Sequence, residues 1–153
     1  MSQSMKMPTM RLSLRAVAAS AVLLSATAVL GNEFERVRPV THEPTLKECG
    51  ECHMAFQPGL LPAGSWNRIM DGLDDHFGDR ASLPPDAAAE IRAYLTGNAA
   101  RRGDGQVMRI TEQRWWTREH DFRPVVWARK DVTSKANCEA CHRDASRGLF
   151  DDD

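Results

Sequence analysis

Cys49-Gly50-Glu51-Cys52-His53 and Cys138-Glu139-Ala140-Cys141-His142 repeat one pattern, C-x-x-C-H, at two places in the chain. The spacing is that of covalent c-type haem attachment. Two thiols three residues apart on one helical turn reach the two vinyl groups of a haem as thioethers. The imidazole next to the second thiol then lies against one face of the ring and binds the iron. All 4 cysteines of the chain fall in these motifs. Two covalently attached haems are therefore expected, with Cys49, Cys52, Cys138 and Cys141 as attachment points and His53 and His142 as one iron ligand each.

Other uses of C-x-x-C fit less well. A four-cysteine zinc site brings its two pairs within about 15–20 residues of each other, whereas Cys52 and Cys138 are separated by most of the chain. A redox disulfide has no need for a histidine after its second cysteine. Two structural disulfides would leave both histidines as coincidence.

The amino-terminal segment is consistent with this chemistry. Lys6, Arg11 and Arg15 form a basic stretch, Ala16 to Leu30 is uncharged, and Ala26-Thr27-Ala28 or Gly31 offers a cleavage site. This is the layout of a secretory signal peptide over residues 1–31, and the apolar run is shorter than the roughly 20 residues of a membrane span. A cleaved, periplasmic protein is expected, and covalent haem attachment in bacteria itself requires export. Formal net charge is −1, and residues 1–31 hold three bases and no acid, so the remainder stands near −4. That balance argues against a nucleic-acid partner. The acidic end, Asp151-Asp152-Asp153, reads as a solvated terminus.

The elements that must position the motifs are helical. Residues 46–54 are expected to carry the first motif on a short helix. Ser65 is a plausible cap for a helix through Phe77, stopped by Gly78, with Trp66, Ile69, Met70, Leu73 and Phe77 on one apolar face. Another helix should start near Pro84-Pro85-Asp86 and run to Gly97. In the second half one helix is expected, from Thr111 to His120, before an extended stretch containing Pro124. Arg101-Arg102-Gly103-Asp104-Gly105 reads as a join between a first haem domain, 32–100, and a second, 101–153. The second piece is so short and so poor in aliphatic residues that it needs a staple, and a haem supplies one.

Function turns on the opposite face of each iron. The remaining histidines are His42, His76 and His120. His76 is the choice for the first haem, since a loop and a helix after Cys52 give enough chain to wrap around the ring. His120, in the aromatic run from Trp115, is the choice for the second. His42 is held in reserve for either iron, and Met108, in the join, stays open as a sulfur ligand; Met70 reads as core. Two histidines on each iron make both haems low-spin, low in potential and closed to small molecules. This describes an electron carrier and not an enzyme. The alternative is a haem enzyme or gas-binding protein with one open five-coordinate iron, as follows if His120 is no ligand.

The chain resembles the small dihaem cytochromes c of proteobacteria. The similarity rests on both motifs with their flanks, on Pro58-Gly59-Leu60-Leu61-Pro62, on Leu73-Asp74-Asp75-His76-Phe77-Gly78, on Ile110-Thr111-Glu112 leading to His120, and on Arg147-Gly148-Leu149-Phe150-Asp151. The resemblance implies a mainly α protein, with a class I cytochrome c-like first domain, a little-structured second domain and bis-histidine haems. It also implies a donor to an oxygen-binding monohaem cytochrome c, often beside a membrane cytochrome b that feeds it; the chain itself is expected to be a monomer.

Overall fold

A computed structural model describes residues 36–151. The expected signal peptide and its cleavage site lie outside the described residues, as do Asp152 and Asp153. Among the described residues no helix is long and apolar enough to cross a membrane, and no strand forms beyond three isolated bridges. The protein is mainly helical.

Helix α1, Glu43–Cys49, begins with an acidic residue and Pro44 and ends beside Lys47, charges that match its dipole. It stops at the first cysteine, earlier than expected, because Gly50 is a poor helix former and caps it. The rest of the motif, through His53, is a turn.

Helix α2, Ala63–Asp71, also differs from expectation. It starts after Pro62, and Ser65 is buried within it, donating its hydroxyl to the carbonyls of Asp104 at 3.2 Å and Val107 at 2.6 Å. It ends at Gly72, the first available stop, and a 3₁₀ turn, Leu73–Asp75, follows. His76 and Phe77 are therefore off the helix. Trp66, Ile69 and Met70 still form its buried face. They pack with Leu61 and with Ile91 and Leu95 of α3, Pro85–Gly97, whose bounds match the proline and glycine signals.

The second half is built differently. A 3₁₀ turn, Ile110–Glu112, and α4, Arg114–Glu119, replace the single helix expected there. Gln113 separates them, its backbone extended and its buried side chain bonded to Asp104 and Val107. Where an extended stretch was expected, Pro124–Trp127 makes one helical turn, α5. The second motif lies on a 3₁₀ turn, Cys138–Ala140. Beyond residue 100 the buried apolar residues are Trp116 and Ala145 alone among those described.

The two halves are laced together. The Ala100 N–H donates to the Leu61 carbonyl at 2.9 Å. Gly64 and Gly105 bring two backbones so close that a Cβ on Gly64 would lie 3.1 Å from Gly105. The buried Gln57 amide donates to the Ala145 carbonyl at 2.7 Å, and the Val37 N–H donates to the Gly148 carbonyl at 2.8 Å.

Candidate functional site

Two adjoining cavities hold the motif residues. The first, about 450 Å³, is lined by Cys49, Cys52 and His53, by His76, and by the core side chains Trp66 and Met70. The Nδ1–H of His53 donates to the Met54 carbonyl at 2.7 Å. A carbonyl only accepts, so this bond leaves Nε2 as the lone-pair nitrogen. His76 sits on a tight turn closed by its own N–H to the Asp79 carbonyl at 2.7 Å and the return bond at 3.2 Å. The two residues at the tip, Phe77 and Gly78, have φ of 58° and 107°. The imidazoles of His53 and His76 have centres 6.2 Å apart and planes inclined by 27°. Burial, then the neighbouring His53, lowers the His76 pKa, favouring the neutral form that binds metal.

The second cavity, about 790 Å³, is lined by Cys138, Cys141, His142, His120, Trp116 and Trp127 among others. His120 Nδ1–H donates to the Trp116 carbonyl at 3.1 Å, and its ring stacks on that indole at 4.3 Å with planes 5° apart. His142 Nδ1 is 3.5 Å from the Asp151 carbonyl. The His120 and His142 centres are 6.1 Å apart, with planes at 74°. Ile110, Trp116 and Cys138 line both cavities, so one wall separates them.

These spacings fit a haem in each cavity. A metal–imidazole bond is about 2 Å and the ring centre lies about 1 Å beyond the nitrogen, so two imidazoles sharing one iron have centres about 6 Å apart. The four cysteines form no disulfide with one another, which leaves each of them for a haem. Among the described residues no three of His, Cys, Asp and Glu converge as a metal-ion site.

His42 lines neither cavity. Its ring nitrogens meet Thr45 Oγ1 at 2.9 Å and Glu90 Oε1 at 3.1 Å, and it stacks on Tyr94. It ties α1 to α3. Met108 and Met70 both line the first cavity, Met70 from the buried core. Sequence reasoning missed the cations around the cavities, Arg80 and Arg109 at the first and Arg129 and Lys135 at the second. They suit haem propionates, and their scatter along the chain gives no pattern that could have revealed them.

The pattern of the dihaem cytochrome c family matches residues 45–150. A crystal structure of DHC purified from Rhodobacter sphaeroides is 42% identical, with a TM-score of 0.68 over 73% of this chain and 99% of that one. A dihaem cytochrome c from Shewanella baltica OS155 is 43% identical, with a TM-score of 0.64 over 71% of this chain and 85% of that one. No curated protein matches the chain. The chain belongs to the dihaem cytochrome c family, as a haem-binding electron-transfer protein whose cofactors are two c-type haems.

Proposed function

We propose that the protein is a periplasmic electron carrier in which His53 and His76 ligate one haem iron and His142 and His120 the other. The observation that carries this reading is the pair of facing imidazoles, 6.2 and 6.1 Å apart, with Nδ1 of His53 and of His120 committed to backbone carbonyls. Such bonds fix the tautomer and aim Nε2 at the metal. Cys49 with Cys52 and Cys138 with Cys141 supply the thioethers. The first half acts as a class I-like haem domain and residues 101–153 as a little-structured second one.

The haems supply one-electron chemistry when bound. With His53 and His76 holding one iron and His142 and His120 the other, the chain would leave no open position for oxygen or peroxide, and its imidazoles would favour ferric iron more than a thioether would. The shared wall of Ile110, Trp116 and Cys138 keeps the two cavities adjacent, giving electrons a short route within one molecule. Export through residues 1–31 places this monomer where its redox partners are, a membrane cytochrome b as donor and an oxygen-binding monohaem cytochrome c as acceptor.

Optical and EPR spectra of the oxidised, haem-loaded protein test the assignment. Two low-spin ferric signals without a methionine-to-iron band are expected, and His76→Ala and His120→Ala each convert one of them to high spin. A high-spin haem in the wild type would replace this reading with ligand binding or peroxide chemistry at an open iron.

A further inference from the structure

We propose that the exposed face built on Phe122 and Val125 is the docking surface for a redox protein with an acidic surface, which exchanges electrons through the second cavity. The inference rests on the electron-carrier reading above. Residues 121–125 are exposed throughout, and they include two large apolar side chains, Phe122 at 47% and Val125 at 63% exposure. Phe122 is not isolated from the site. It lines the second cavity and meets the His120 ring edge-on at 5.8 Å and Trp127 at 5.7 Å. An apolar surface thus runs from solvent to the ring proposed to bind iron.

The charges around this face select the partner. Residues 113–135 carry Arg114, Arg118, Arg123, Arg129, Lys130 and Lys135 against Glu119, Asp121 and Asp131. Arg118 pairs with Glu119 and Arg129 with Asp131. Among the described residues no ion pair engages Arg123 or Lys130, and Lys135 lies over the Trp127 ring at 5.3 Å. Asp121, exposed beside Phe122, has no ion pair among the described residues either, so the face carries charges of both signs, and its balance over residues 113–135, six bases against three acids, is net positive. The turn that holds His76 leans the other way, with three exposed acids, Asp74, Asp75 and Asp79, against two bases, Arg80 and Arg109, the latter's guanidinium 4.1 Å from the Phe77 ring centre. An acidic protein is steered away from the first cavity and toward the second. Apolar contact at the centre with a charged rim is the anatomy of a transient protein interface.

Flavodoxin, whose acidic surface surrounds an exposed flavin edge, serves as the probe. Calorimetric titration of the oxidised haem-loaded protein with oxidised flavodoxin at low salt should give saturable binding that weakens as salt rises. The double variant Arg123→Glu, Val125→Glu should bind at least about tenfold more weakly, with its low-spin EPR signals intact. Arg38→Glu, a charge reversal in the first half, should bind as the wild type does. In stopped flow, the anionic flavodoxin hydroquinone passes one electron to a ferric haem, which becomes ferrous, and is left as the neutral semiquinone with no proton released. The rates should fall in the same order.

Wild-type protein that fails to saturate at low salt would overturn the proposal, as would equal affinity in the double variant or an equal loss in Arg38→Glu. A dimer in sedimentation that Val125→Glu dissolves would assign the face to a second copy. Binding to anionic phospholipid vesicles that the double variant abolishes would assign it to a membrane. A high-spin wild-type spectrum would remove the electron-carrier reading itself, whereas unchanged binding with low-spin haems removes only the docking surface.

Discussion

The His120 imidazole lies flat on the Trp116 indole, 4.3 Å away and within 5° of parallel, while its Nδ1–H is bonded to the carbonyl of the same tryptophan. One residue thus fixes the ring's height, tilt and tautomer. Trp116 is 5% exposed and lines both cavities. Trp116→Leu should cost about 2–4 kcal/mol, the range for truncating a large buried side chain, read from denaturant unfolding of the haem-loaded protein. It should also shift the EPR signal assigned to the His120 haem. An unchanged unfolding midpoint together with an unchanged spectrum would show that the stack holds nothing.

The two histidine pairs differ in one respect that a spectrometer can read. His53 and His76 are near parallel at 27°, and His120 and His142 are near perpendicular at 74°. Parallel imidazoles split the iron d-orbitals unequally and give a rhombic low-spin ferric signal. Crossed imidazoles leave two orbitals nearly degenerate and give a highly anisotropic one with its first feature at lower field. One signal of each kind is expected, the rhombic one lost in His76→Ala and the anisotropic one in His120→Ala. Two superimposable rhombic signals would contradict the ring angles.

The first half was more legible than the second, for physical reasons. Helix α3 shows its proline start, its glycine end and its apolar face at Ile91 and Leu95, so periodicity sufficed. Helix α2 was overrun because Gly72 and Gly78 are both stop signals and the apolar spacing continues to Phe77. What ends the helix at Gly72 is the turn beyond it, closed between His76 and Asp79. His76 therefore reaches the first cavity from a turn and not from a helix edge. In the second half, order comes from buried glutamines bonding backbone and from cavity walls made of Trp116 and Trp127. Neither leaves a periodic trace in the sequence. Both C-x-x-C-H motifs were readable because their chemistry demands a local spacing, while the facing histidines depend on how the chain folds back.

Gln57 is fully buried and bridges the halves through its donor, while its Oε1 has no partner. Gln57→Leu would strand the Ala145 and Ser146 carbonyls and should cost about 1–3 kcal/mol. Gln57→Glu adds a pH dependence. A carboxyl facing two carbonyls in that buried site has its folded pKa raised above the unfolded value of about 4.3. The variant should therefore be closest to wild type in acid and lose ground as pH rises from about 4.3 through the raised pKa. Urea midpoints of both proteins at several pH values check this. A difference that stays constant between about pH 4 and about pH 7 would mean that the Glu side chain has swung into water.

Gly148 lies at φ 77°, and a Cβ there would collide with the Val37 carbonyl. The same glycine's carbonyl accepts the Val37 N–H, next to the Arg36–Leu149 bridge that ties the two ends of the described chain together. Gly148→Ala thus faces both the left-handed backbone penalty of about 1 kcal/mol and a steric clash that only separation of the two segments relieves. The loss should be local first. In hydrogen exchange the Val37 amide should lose protection, whereas amides inside α3 keep theirs until global unfolding. Stability should fall by more than about 1 kcal/mol. If the Val37 amide stays protected in the variant, the contact between the amino-terminal segment and the second half is held by something other than the close approach at Gly148.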